Sequence, residues 1–128
     1  MSQLKILFVD DEESILDMLL KIYAKKGFAV FSATDGIKAV ELYEKERPLI
    51  AFIDVHMPFS PIDGLETLNR IKVIDKEASC VMLTRILEAD FIAKAKASGA
   101  LHYIRKPFEL EDIDNCIEEV KAKQGIKE

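Results

Sequence analysis

Short apolar runs alternate with longer amphipathic segments along this chain, and the alternation restricts its fold more than any other feature. The runs are mostly apolar at both odd and even positions, as strands covered on both faces of a sheet should be. We predict strands at roughly residues 4–9, 28–33, 49–54, 79–84 and 101–105. Helical segments between successive strands indicate βα units and a parallel sheet. The handedness of parallel crossovers then favours an α/β fold, a doubly wound five-stranded sheet of order 2-1-3-4-5 with five helices.

The segments between the strands have apolar residues at helical spacing. Gly27 is placed to end the first helix, Asp35 to cap the second and Gly99 to end the fourth. The fourth helix has mostly alanine on its apolar face, so we expect it to move most easily. The predicted helices are Ser14 to Lys26, the segment after Asp35-Gly36 up to about Pro48, Leu65 to Ile74, Glu88 to Ser98 and Leu110 to Ala122. The apolar residues at helical spacing are Ile15, Met18, Leu19, Ile22 and Tyr23 in the first helix and Leu110, Ile113, Ile117 and Val120 in the fifth, and the third helix is predicted to place Leu65, Leu68, Ile71 and Val73 inward.

Length and charge restrict the class of protein. A chain of 128 residues is sufficient for one domain, predicted at residues 1–124 with a short tail at 125–128. The formal net charge of −5 argues against direct binding to nucleic acid or an anionic membrane. With no apolar stretch near the ~20 residues of a membrane span and no signal-peptide pattern, we expect a cytoplasmic protein. Cys80 and Cys116 lack metal-site or redox-motif spacing and are predicted to be reduced and structural.

Carboxylates follow two strands that the predicted order places side by side. Asp10 and Asp11 follow the first strand, and Asp54 ends the third. In such sheets ligands bind outside the carboxyl ends of the strands, so we expect the three side chains to crowd together. Crowded carboxylates raise a pKa or attract a cation, and hard oxygen ligands suit Mg²⁺. Each acid alone is more simply explained as a helix cap, which is the competing interpretation.

Two further strands end on groups that can bind a phosphoryl group. A carboxylate beside Mg²⁺ can attack a phosphoryl group and form an acyl phosphate. Lys106 would supply positive charge to the phosphoryl oxygens, and the Thr84 hydroxyl could donate a hydrogen bond. Taken singly, Lys106 would be a surface charge and Thr84 a turn residue, but together, at successive strand ends, they indicate phosphoryl transfer.

These residues resemble the receiver domains of two-component response regulators, the CheY-like family with a flavodoxin-like fold, over essentially the whole chain. The segments that carry the resemblance are Phe8-Val9-Asp10-Asp11-Glu12, Ile53-Asp54-Val55-His56-Met57-Pro58, Asp63-Gly64-Leu65-Glu66, Leu83-Thr84, and Ala100 with Tyr103-Ile104-Arg105-Lys106-Pro107-Phe108. The resemblance implies a domain that is phosphorylated and then controls a partner, and that catalyses only its own phosphorylation and dephosphorylation.

The resemblance also assigns a role to each residue. Asp54 would be the phosphoacceptor. Mg²⁺, or Mn²⁺ in its place, would be held by Asp54, directly by Asp11, through water by Asp10, and by the backbone carbonyl of His56. Thr84 and Lys106 would bind the phosphoryl group, and a cis bond is expected between Lys106 and Pro107. The partners would be a sensor histidine kinase or phosphotransfer protein and a downstream protein target, with the chain a monomer or a phosphorylation-dependent dimer.

Tyr103 matches the family's aromatic switch position. Its ring would turn inward as Thr84 moves toward the phosphoryl group, and so bias the face made by the fourth helix, fifth strand and fifth helix. Ordinary packing on an edge strand is the alternative.

The sequence departs from the family pattern at two places. Arg85 follows Thr84 where the family usually has alanine or glycine; it could bind the phosphoryl group, or lie outward against Glu88 or the acids, which we favour. The loop at 59–62 is about two residues longer than usual, and Phe59 could contact a partner or belong to a neutral surface insertion. The His56 side chain, at a variable position, could tune water access or have no role.

Three other functions share parts of this pattern. A haloacid-dehalogenase-like phosphatase also forms an aspartyl phosphate, but its Asp-x-Asp motif on the first strand is absent from Asp10-Asp11-Glu12. A flavin or nucleotide binder would need a phosphate cradle after the first strand, and the acids there repel anions. A phosphorylation-independent scaffold is favoured only by Arg85 and the long loop. The chain either acts alone or is a piece of a longer protein.

Overall fold

The computed structural model describes residues 3–85 and 89–126. Its sheet has five parallel strands in the order β2-β1-β3-β4-β5, which confirms the predicted α/β fold and topology. The strands are β1 (Lys5–Val9), β2 (Ala29–Ala33), β3 (Ile50–Asp54), β4 (Cys80–Thr84) and β5 (His102–Arg105).

Five helices connect and flank the strands. They are α1 (Glu13–Lys25), α2 (Gly36–Glu46), α3 (Gly64–Ile74), α4 (Ala89–Ala97) and α5 (Leu110–Lys123). Asp35 caps α2, since its side chain accepts a hydrogen bond from the backbone N–H of Lys38 at 2.9 Å. Gly27 and Gly99 follow α1 and α4 with φ of 97° and 92°, a conformation that favours glycine. The predicted start of the fourth helix at Glu88 lies outside the described residues.

The core has two layers, one on each face of the sheet. One lies against α2, α3 and α4, and the other against α1 and α5, so the sheet is doubly wound as predicted. Alternate strand residues supply the two layers: Leu7, Ile53 and Met82 face the first, whereas Phe8, Phe52 and Leu83 face the second. The polar ends of the central strands are thereby held on a rigid, close-packed support.

Three apolar residues of the predicted helix faces are exposed, and the inward placement of Val73 was wrong. Met18 is 43% exposed, and the buried face of α1 instead consists of Leu16, Leu19 and Tyr23. Val73 is 87% exposed because it lies two residues, or about 200° of helical rotation, beyond the buried Ile71. Leu110, the first residue of α5, is 36% exposed.

The two cysteines lie in the buried core. Cys80 and Cys116 are both free and buried, and burial raises the pKa of their thiols to about 12 and about 11. Across residues 3–85 and 89–126, no helix is long and apolar enough to cross a membrane.

Candidate functional site

Three carboxylates converge at the carboxyl ends of β1 and β3. These strands are neighbours, with Val9 opposite Ile53, so Asp10 follows one strand beside the point where Asp54 ends the other. Asp10 and Asp54 are 1% and 5% exposed, and Asp11 is half-buried. One carboxylate oxygen from each of the three residues lies within 4.8 Å of the others. The predicted crowding is therefore observed.

Lys106, which follows the edge strand β5, brings a positive charge into this cluster. Its Nζ donates a hydrogen bond to Asp10 Oδ2 at 2.6 Å and lies 3.4 Å from Asp54 Oδ2. The backbone holds the residue in place, since the Lys106 N–H donates to the Thr84 carbonyl at 2.8 Å and the bond to Pro107 is cis as expected. The buried ammonium thus pairs with two of the three carboxylates.

The electrostatics of Asp54 reflect this crowding. Burial is the main cause that raises the pKa of its carboxyl from 3.8 to about 6, and the charge on Asp10 adds to it. Lys106 opposes the shift through its charge and hydrogen bond, and Asp11 adds a smaller increase. Three carboxylates against one ammonium leave the cluster negative, so it favours a cation. All the side-chain donors are hard oxygens, which suit Mg²⁺.

Helix capping does not account for these acids. Glu12 occupies the N-cap position of α1, but its side chain makes no capping hydrogen bond. Asp10 instead accepts a hydrogen bond from the backbone N–H of Glu12 at 2.9 Å, which fixes the loop after β1. Its second carboxylate oxygen accepts from Lys106, so Asp10 links the loop to the charged cluster.

The structure places the other predicted site residues around this cluster. Thr84 is fully buried at the end of β4, one residue beyond Leu83, which pairs with Asp54. Tyr103 is half-buried on β5 opposite Met82 and packs against the core. The His56 side chain is exposed and lines a surface groove of about 630 Å³ with Asp63, Phe91 and others.

Arg85 lies outward, as favoured from the sequence. Its side chain is 69% exposed, and Nη2 donates to Glu12 Oε1 at 2.7 Å. The partner is therefore an acid of the loop after β1; Glu88, the other candidate, lies outside the described residues. Both Arg85 and Glu12 line a cavity of about 470 Å³ that also borders Lys106.

The long loop after β3 is fastened to α2. The Ser60 hydroxyl donates to the Ile62 carbonyl and accepts from the Gly36 N–H at 2.8 Å. Phe59, in contrast, is 92% exposed. The sequence had drawn attention to Phe59 but not to Ser60, whose partner is 24 positions away and whose role no local pattern indicates.

Gly64 is a second residue whose role became visible only in the structure. Its N–H donates to the Val55 carbonyl at 3.0 Å, and a Cβ on it would overlap the Asp54 carbonyl oxygen. The Asp63-Gly64 pair at the start of α3 was part of the motif, but only the coordinates show that glycine allows the helix to pack on the strand end.

A comparison with known protein families identifies the family of this chain. Residues 6–118 match the family model described as the response regulator receiver domain. The chain belongs to this family. The receiver domain is 36% identical over 113 residues to sporulation initiation phosphotransferase F of Bacillus subtilis, an alignment that covers 88% of this chain and 90% of the relative. It is 33% identical to the chemotaxis protein CheY of Halobacterium salinarum over 116 residues, 91% of this chain and 95% of the relative.

Solved structures agree with this assignment. CheY4 of Vibrio cholerae superposes on the receiver domain with a TM-score of 0.85 at 29% identity, covering 93% of this chain and 99% of that one. A CheY-like receiver domain from Methanospirillum hungatei has a TM-score of 0.84 at 26% identity, with coverage of 95% and 99%. The chain is therefore a response regulator receiver domain, a signalling module with an acidic pocket that could hold a metal.

Proposed function

We propose that Asp54 accepts a phosphoryl group from a phosphohistidine of a sensor kinase or phosphotransfer protein. One observation carries the proposal: the carboxylates of Asp10, Asp11 and Asp54 lie within 4.8 Å of one another, and the buried Lys106 ammonium contacts two of them. Such an arrangement positions a carboxylate nucleophile and neutralises charge, which are the main requirements of phosphoryl transfer.

The transfer is a direct displacement at phosphorus. A carboxylate oxygen of Asp54 forms a bond to phosphorus while the P–N bond of the phosphohistidine breaks, and the bond electrons leave with the imidazole. Lys106 faces Asp54 at 3.4 Å and would contact the incoming phosphoryl oxygens, with Thr84 as a second donor from the end of β4. The acyl phosphate ends when water attacks phosphorus, the P–O bond to Asp54 breaks, and inorganic phosphate leaves.

Mg²⁺, or Mn²⁺, is the cofactor that fits this donor set. Asp11, Asp54 and the His56 carbonyl would bind it directly and Asp10 through water. When bound, the ion supplies positive charge for the phosphoryl oxygens. The oxygen donors and the excess negative charge support this choice, since zinc sites usually contain histidine or cysteine ligands.

Phosphorylation would alter the face formed by α4, β5 and α5. Thr84 would follow the phosphoryl group and Tyr103 would turn inward. The weak anchoring of α4 supports this proposal, since Ala95 is its one buried residue within the described part of the helix. The downstream target would be a protein that binds this face. The domain would comprise residues 1–124 with a tail at 125–128. It would be a monomer or a phosphorylation-dependent dimer in the cytoplasm.

The relatives support a role in phosphotransfer signalling over the alternative functions. One is named a phosphotransferase and others are named chemotaxis proteins, and the family match favours a receiver over a phosphatase or a flavin binder. A phosphorylation-independent scaffold is not favoured, because the long loop and Arg85 leave the carboxylates, Thr84 and Lys106 in place.

Intact-mass spectrometry after incubation with acetyl phosphate and Mg²⁺ tests the proposal. We expect one phosphoryl adduct on the wild type, none on Asp54→Ala, and none when EDTA removes the metal. Asp90→Ala, at an exposed residue of α4, is the matched control and should accept one phosphoryl group as the wild type does. A folded wild type that forms no adduct would overturn the proposal and favour a phosphorylation-independent scaffold.

A further inference from the structure

An ion pair joins the loops on either side of the strand that ends on Asp54. Arg85 directly follows β4, and Glu12 follows β1; β3 lies between these two strands in the sheet. Arg85 Nη2 and Glu12 Oε1 are 2.7 Å apart, and both residues line the same cavity as Lys106. The pair therefore spans the carboxyl end of β3 and lies next to Lys106, which contacts Asp10 and Asp54.

The two partners differ in how firmly they are held. The backbone N–H of Glu12 donates to Asp10 Oδ1, whose carboxylate also accepts from Lys106, so the Glu12 backbone is tied to the cluster. The Arg85 side chain is 69% exposed, and the Glu12 side chain is 41% exposed. Exposed ion pairs contribute only about 0.2–1 kcal/mol, so the guanidinium can leave Glu12 at little cost.

Phosphorylation would add negative charge to a cluster whose three carboxylates would be balanced, with Mg²⁺ bound, by that ion and Lys106. A phosphoryl group carries about two negative charges at neutral pH, in place of the one on the Asp54 carboxylate. Lys106 is already shared between Asp10 and Asp54. An arginine, with a planar fork that can bind two phosphoryl oxygens at once, is suited to compensate the remainder.

We propose that Arg85 binds the phosphoryl group and exchanges Glu12 for phosphoryl oxygens when Asp54 is modified. Glu12 then competes with the phosphoryl group for the guanidinium and sets how strongly the modified state is favoured. This inference rests on the proposed phosphorylation of Asp54 and adds to it a residue that the family pattern does not supply.

The affinity for beryllofluoride, a stable analogue of the phosphoryl group, tests the exchange in the presence of Mg²⁺. Arg85→Ala should weaken binding about tenfold, the value of one charge-assisted hydrogen bond. Glu12→Gln should strengthen it about twofold to threefold, because the guanidinium is freed from an exposed ion pair. In the Arg85→Ala background, Glu12→Gln should have no effect.

Two variants separate this role from a general loss of charge. Arg70→Ala removes the arginine of a similarly exposed ion pair with Glu66 on α3, so it should bind beryllofluoride as the wild type does. Arg85→Lys keeps the charge but not the fork and should fall between wild type and Arg85→Ala.

The outcomes distinguish this inference from the proposed function. Equal affinities of wild type and Arg85→Ala overturn the exchange alone. If Glu12→Gln strengthens binding equally with and without Arg85, the effect is general charge repulsion and the exchange is also wrong. A folded wild type that neither binds beryllofluoride nor accepts a phosphoryl group overturns the proposed function itself.

Discussion

Asp54 is a carboxylate whose ionised form is opposed by its surroundings. Burial and the neighbouring Asp10 raise its pKa to about 6, although Lys106 lies 3.4 Å away. The folded state is stabilised when positive charge binds beside such a carboxylate or when the carboxylate is esterified. The ionised Asp54 side chain therefore destabilises the fold when no cation is bound beside it.

We predict that Asp54→Asn stabilises the metal-free protein at neutral pH. The folded-state pKa is raised from 3.8 to about 6, so the folded protein binds the proton more tightly than the unfolded chain. The carboxyl then destabilises the fold progressively as pH rises from about 4 to about 6, fully so above that range. At pH 7.5 the substitution should add about 1–2 kcal/mol to the free energy of unfolding, after allowance for solvent screening.

Urea denaturation in EDTA at two pH values measures this effect. At pH 3.5, where the carboxyl is largely protonated in both states, the variant and the wild type should differ little. A variant that is no more stable than the wild type at pH 7.5, or equally stabilised at both pH values, would contradict the electrostatic explanation.

At this scale the sequence predicted the identity of the charged residues better than their pairing. Asp10, Asp11, Asp54 and Lys106 follow from their positions after strands. The partner of Arg85 could not be predicted, because Glu12 is 73 positions away and the distance between the two side chains depends on loop geometry. Ser60 was missed for the same reason.

Helix α3 lies so close to the end of β3 that its first residue, Gly64, has no room for a side chain. A Cβ on Gly64 would overlap the Asp54 carbonyl and lie 2.7 Å from the Val55 Cα, and backbone atoms of a central strand have no room to move. The start of α3 and the end of β3 are thereby held together, which positions the loop between them.

Gly64→Ala should therefore cost about 3 kcal/mol in the free energy of unfolding, as overpacking against rigid backbone does. Gly27→Ala is the matched control. Gly27 has φ of 97° and no atom near its missing Cβ, so that substitution involves only backbone strain and should cost about 1 kcal/mol. Urea denaturation of both variants compares the two; equal losses would contradict the close approach of α3.

Element types and most boundaries were predictable, whereas helix faces were less so. The periodic positions in α1 predicted a face that includes Met18, whereas the buried face includes Leu16; the two faces share Leu19 and Tyr23, and only packing against the sheet selects Leu16. The exposure of Val73 could not be predicted for the same reason, because nothing in the local sequence distinguishes an apolar residue on the outer face of α3 from one on its buried face.

The whole molecule explains why residues distant in sequence meet. The order β2-β1-β3-β4-β5 places the ends of β1, β3 and β4 side by side, and Lys106 after β5 reaches back to Asp10, 96 positions away. This convergence was predictable, because the βα alternation and the crossover rule leave few arrangements. The contact of Lys106 with two carboxylates was not, since it depends on the path of the chain through the cis peptide bond.

We propose that this convergence makes Asp54 the site of covalent phosphorylation. Borohydride reduces an acyl phosphate of aspartate to the corresponding alcohol, so treatment of the phosphorylated protein followed by peptide mapping locates the modified carboxyl. We predict reduction at position 54 alone, dependent on prior incubation with acetyl phosphate and Mg²⁺. Reduction at Asp10 or Asp11, or none at position 54 in a protein that carries the phosphoryl group, would contradict the account.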